Sequence, residues 1–182
     1  MKRIIVMLLA LAFLAACSKD KYLANADGSL PVLYPKSSIL AWPVVDGVRQ
    51  DPSGKARIYL DQTAKLPGDF QAGDGVRVGA RSAIGEDAVL FPNVTVGNDS
   101  SIGKDVIVQS EVKIGNNVTI GKDSVIGQGT AIEDGARIGR WVKIGTRASI
   151  GSGAEIGGAA SVADGATVAK NQRVAQGEHI AK

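Results

Sequence analysis

The stretch SIGKDVIVQSEVKIGNNVTIGKDSVIG, residues 101–127, places an aliphatic side chain at Ile102, Val108, Ile114, Ile120 and Ile126, always six residues apart. A helix repeats about every 3.6 residues and a strand every two, so neither alone accounts for this period. The ladder runs in both directions. It begins Val78, Ile84, Leu90, Val96 and continues Ile132, Ile138, Ile144, Ile150, Ile156, Val162, Val168, Val174, Ile180, which makes eighteen positions without a slip. Two residues before each of these the side chain is small or Val, from Val76 to Ala166; Gln172 and Glu178 break that rule. The residue after the aliphatic is Gly in eleven of the eighteen hexads.

Two inward residues separated by one outward residue make a short strand. The other three, rich in Gly, Asn and Asp, make a turn, because these types tolerate positive φ. One such strand cannot bury a core, but stacked coils can. The expected fold is therefore a parallel β-solenoid. The segments VTIGKDSVIGQG (118–129) and VKIGTRASIGSG (142–153) resemble the hexapeptide-repeat family. That resemblance implies an all-β fold: a left-handed parallel β-helix of triangular section, three hexads per coil. About six coils would cover residues 76–182, behind a short N-terminal capping segment at 31–75.

The chain opens MKRIIVMLLALAFLAAC, in which Lys2 and Arg3 precede an apolar run from Ile4 to Leu14. The run is too short for a permanent membrane span, and Leu14-Ala15-Ala16-Cys17 resembles a bacterial lipobox. The expectation is a signal peptide at 1–16, a lipidated Cys17 and a polar tether to residue 30. Cys17 is the only cysteine, which excludes an intrachain disulfide. Ser18 after the Cys favours, by resemblance, a lipid anchor in the outer membrane on its periplasmic side. Without Lys2 and Arg3 the 21 basic residues become 19 against 18 acidic ones, a net charge of +1. That balance offers nothing to nucleic acid.

In the capping segment, SILAWPVV and ARIYL read as strands and DGVRQDPSGK as the turn between them. Trp42 and Tyr59 are expected over the first coil, since an open solenoid end exposes unpaired strand edges. Gln172 and Glu178, at inward positions, suggest a solvated or frayed last coil.

Three hexads per coil stack residues eighteen apart. One outward face then carries Val89, Ile107, Val125, Lys143, Ser161 and His179, with Phe91 and Trp141 at its corners. The stripe Val89, Phe91, Ile107, Val125 and Trp141 is expected to be an interface, the alternative being that the N-terminal segment folds back over it, and the family resemblance implies a homotrimer. Asp87, Asp105 and Asp123 fall on one corner, a weak candidate metal site because stacked carboxylates repel unless neutralised. Arg137, Arg140, Lys143 and Arg147 cluster in sequence near Trp141 as a weak anion site, for an envelope glycan or a partner protein.

Family members that are acyltransferases use a His as general base, and those that are carbonic anhydrases need three zinc histidines. His179 is the single histidine, the fourth residue from the end, in the last coil. It is a weak catalytic candidate. The sequence reading therefore leans to a non-catalytic envelope lipoprotein, a rigid scaffold or binding module without cofactor. Its alternative is a hexapeptide acyltransferase acting on a sugar or lipid precursor.

Overall fold

At every sixth position from Gly75 to Gly177 the backbone has positive φ. Here the chain turns the corner of a triangular prism. L-residues disfavour this region, with Asn and Asp among the better tolerated, and Gly enters it freely. Asp87, Asn93, Asp99, Asp105, Asn117, Asp123 and Asn171 fill many of these sites, and Arg81, Glu111, Trp141, Arg147 and Ala159 are the exceptions. The computed structural model describes Ala24 and residues 30–182.

Between corners lie strands of two or three residues, paired in parallel at a register of eighteen: Ile102 pairs with Ile84 on one side and Ile120 on the other. The ladder aliphatics point inward and are nearly all buried; Ile120 is 1% exposed and Ile126 is fully buried. Each buried aliphatic of this size contributes roughly 1.5–3 kcal/mol. Backbone bonds run along the prism axis, as in Ser101 N–H to Val118 C=O and Gly103 N–H to Ile120 C=O, both 2.8 Å. Gly after the aliphatic has a steric cause: a Cβ on Gly127 would lie 2.5 Å from the carbonyl carbon of Gly145.

The fold is a left-handed parallel β-helix, as expected, but of seven turns rather than six. The additional turn comes from the segment assigned to the cap. β4 (Arg57–Leu60) pairs in parallel with Arg77–Val78, β5 (Phe70–Gly73) pairs in parallel with Ala88–Leu90, and Lys65 bridges Ala83. The prism thus starts near Arg57, not Val76. The period of six in fact continues back through Leu60, Leu66 and Ala72, but Ala72 in place of a larger aliphatic and Phe70 at a small-residue position disguise it.

The true cap is shorter and partly helical. β1 (Leu33–Pro35) runs antiparallel to β5. The stretch expected as a strand instead forms α1 (Lys36–Ala41), and only its end enters β2 (Val44–Val45). β2 and β3 (Val48–Gln50) form a hairpin across Asp46-Gly47, both at positive φ, and β3 pairs antiparallel with β4. This is the two-residue Asp-Gly turn that favours hairpins. Ile39 is fully buried, and Trp42 packs edge-on against Tyr34 with centroids 4.8 Å apart. Lys36 Nζ donates to the carbonyls of Leu66 at 2.6 Å and Gly68 at 3.0 Å, tying α1 to the first turn. Tyr59 is not in the cap; it lies on the outer side of the first turn, with its hydroxyl 3.3 Å from Asp61 Oδ2.

The last turn is formed, not frayed. Gln172 Oε1 accepts the Ala169 N–H at 2.7 Å and Glu178 Oε2 accepts the Ala175 N–H at 2.6 Å. At the open end these polar side chains cap turn donors that have no further coil to bond.

Candidate functional site

The prism sorts its outward side chains by face. On the face that ends in His179, the first three turns were expected to show an open apolar stripe. The structure corrects this. Val89, Phe91, Ile107 and Val125 are buried in a small outer cluster, against which Leu33 packs. Gln109 Nε2 also donates to the Ala24 carbonyl at 3.3 Å, which places Ala24 on this face. The physical reason is direct: an uncovered apolar stripe is costly, and the N-terminal chain is long enough to return over it. Trp141 does not join the cluster and stays 53% exposed at a corner.

The Asp column does not gather into a metal-ligating group. No group of three metal-ligating side chains occurs among the described residues. Lys104 Nζ interleaves the column instead, 2.7 Å from Glu86 and 3.5 Å from Asp87. Asp occupies these positions because their φ is positive.

The basic cluster is divided by the fold. Arg137 is on one face, Arg140 on the following corner, Lys143 on the His179 face and Arg147 on the next corner. Arg147 therefore faces away from Arg137. Arg173, not singled out from the sequence, takes its place near Arg137. Glu155 lies between these two arginines, 3.0 Å from Arg173 and 3.7 Å from Arg137. The three side chains line an open groove with Glu178, in the turns nearest the C-terminus.

His179 lies one corner away from that groove. Its strand, His179–Ile180, pairs with Ser161–Val162, and Nδ1 is 2.8 Å from Ser161 Oγ. Both side chains are open to solvent. With the Nδ1 proton donated to Ser161, Nε2 keeps its lone pair and can take a proton from a substrate. Cys17 and the proposed signal peptide lie outside the described residues. Ser161, Glu155 and Arg173 were legible in principle, since Ser161 stands eighteen residues from His179, Glu155 eighteen from Arg137 and Arg173 thirty-six from Arg137.

Residues 123–158 match the family model described as bacterial transferase hexapeptide (six repeats). Among solved structures, the acetyltransferase domain of PglB from Neisseria gonorrhoeae, in complex with acetyl coenzyme A, is 25% identical with a TM-score of 0.59; the match covers 63% of this chain and 55% of that one. A hexapeptide transferase family protein from Anaplasma phagocytophilum is 23% identical at a TM-score of 0.50, over 68% of this chain and 73% of that one. The UDP-N-acetylglucosamine acyltransferase from Campylobacter jejuni is 18% identical at a TM-score of 0.53, over 74% and 68%. The last two show the fold alone. No curated protein matches the chain. The chain is thus a hexapeptide-repeat β-helix, and the transferase likeness overturns the expectation of a scaffold without catalysis.

Proposed function

We propose that this chain is an acyltransferase that moves an acyl group from a coenzyme A thioester to an amine or hydroxyl on a sugar or lipid precursor. The observation that carries this reading is the 25% identity, over 63% of the chain, to an acetyltransferase domain holding acetyl coenzyme A. His179 is the only imidazole in the sequence and has the partner a base needs. In the step proposed, the acceptor N or O attacks the thioester carbonyl and its proton passes to Nε2. The tetrahedral intermediate then collapses, the C–S bond breaks, and the leaving sulfur receives the proton. Ser161 is a positioning residue that holds the tautomer.

Trimeric assembly belongs to the same proposal, because three prisms side by side would enclose clefts for the donor. A lipid anchor at Cys17, holding the protein to the outer membrane on its periplasmic side, belongs to it as well. Among the described residues the exposed large aliphatics are Leu30, Val32, Leu40, Val44 and Val45, all at the capped end. That end would therefore face the bilayer, leaving His179 at the far tip.

The test uses the purified full chain in detergent with acetyl coenzyme A and a panel of amino sugars, following thiol release. Acceptor-dependent release that falls about 100-fold in His179→Ala is the expected result. Release no faster than the blank with every acceptor, or release indifferent to His179→Ala, would sink the proposal. Light scattering of the same sample reads the assembly, and a monomer mass would remove the trimer.

A further inference from the structure

One corner column of the prism carries, in successive turns, Asp87, Asp105, Asp123, Trp141, Ala159 and Gly177, all at positive φ. Five of these are short side chains or none, as that backbone prefers. Trp141 has φ 59° with its ring 53% exposed. Arg81, Glu111 and Arg147 hold corners of similar φ, so the conformation belongs to the fold; what sets Trp141 apart is a large apolar side chain left exposed there. Burial does not account for it, because the ring fills no core.

Its surroundings are chemically specific. Arg140 Cζ is 5.1 Å and Lys122 Nζ 5.7 Å from the ring centroid. Lys122 and Arg140 occupy the same corner position in consecutive turns, so both reach the indole from one side. In the turn beyond, those positions hold Gly158 and Ala159, which bring no further long side chain to the ring. The indole is thus an apolar plate that keeps about half its surface open while two cations stand over it.

We propose that Trp141, Arg140 and Lys122 form a binding shelf for an anionic saccharide. The C–H face of a pyranose stacks on the indole, and an acid group on that same ring meets the guanidinium and the ammonium. Both cations lie within 6 Å of the plate centre. A ligand must therefore carry its charge next to the ring that stacks. An acidic sugar does so; a nucleotide holds its phosphates a ribose away from the base. Arg offers a planar fork to a carboxylate, and cation–π contact keeps it pre-positioned. The shelf stands independently of acyl transfer.

Indole emission of the full chain tests it, because the other tryptophan, Trp42, is buried in the cap. The probe is trigalacturonate, with maltotriose, inorganic phosphate and AMP as comparators. A saturable emission change with trigalacturonate alone is expected, absent in Trp141→Ala and at least tenfold weaker in a Lys122→Gln, Arg140→Gln double variant. Calorimetric titration reads the variants that lack the reporter indole: Trp141→Ala should lose binding and Trp141→Tyr should bind within a few-fold of the parent, which separates lost stacking from lost folding. No saturable change, an equal response to inorganic phosphate or maltotriose, or tighter binding of AMP each overturns the proposal.

Discussion

Ser161 Oγ lies 2.8 Å from His179 Nδ1, one turn of the prism apart and on the same outward face. If Ser161 orients the imidazole rather than reacting, its loss weakens catalysis less than loss of the base. Ser161→Ala should lower kcat about tenfold with little change in KM, while His179→Ala removes about 100-fold. Initial rates of thiol release against acceptor concentration check this. A Ser161→Ala enzyme as inactive as His179→Ala would mean that the hydroxyl itself takes part.

Ser100 does more than fill a small inward position. Its Oγ accepts the Val118 N–H at 3.0 Å and donates to the Gly115 carbonyl at 2.8 Å, while Ser82 and Ser124 make corresponding pairs. Ser100→Ala strands a buried donor and acceptor and should cost about 1–3 kcal/mol. Urea unfolding reads the loss; a change below a few tenths would show that the backbone relaxes to pair itself.

Ala159 holds φ 57° on an exposed corner. Ala159→Gly removes a left-handed penalty of roughly 1–2 kcal/mol against an entropic cost of about 0.5–1 kcal/mol. A net gain of about 0.5–1 kcal/mol should appear as a raised Tm. The same change at Ala136, buried at ordinary φ, should lower it.

Three carboxyls are held below their ordinary values by hydrogen bonds. Thr63 lowers Asp61, Arg81 lowers Asp99 and Ser152 lowers Glu133. Each binds its proton less tightly folded than unfolded. The stability they add is therefore full above the ordinary values of 3.8 for Asp and 4.5 for Glu, and is lost as pH falls through the lowered native ones. Thermal melts from pH 6 to pH 2.5 should be flat at first and then fall. Asp99→Asn should flatten part of that fall, and an unchanged profile would show the Arg81 pair to be spent on solvent.

The candidate site was less legible than the fold. His179 was visible as a lone imidazole, but its worth depends on Ser161, whose relevance emerges only when residues eighteen apart are stacked. Arg137, Arg140, Lys143 and Arg147 are neighbours in sequence, yet three hexads per turn send them to different sides. Conversely Lys122 and Arg140 are distant in sequence and meet at Trp141. The Val89, Ile107 and Val125 stripe was legible as an outward apolar face, but whether the N-terminal segment or a partner covers it was not, because the Leu33 contact obeys no period.

By itself the sequence determined the prism. An aliphatic every sixth residue and a turn-former three residues later leave one way to bury the core, and a local repeat needs no distant partner to be read. Only the tertiary structure decided where the prism begins, what closes it and which surface remains open. Those outcomes rest on contacts between segments that share no repeat: α1 over the first turn, and Ala24 and Leu33 along the apolar face. Periodicity specifies the wall because each coil bonds only to its neighbours. It says little of the ends and the coverings, where packing between unlike segments sets the free energy.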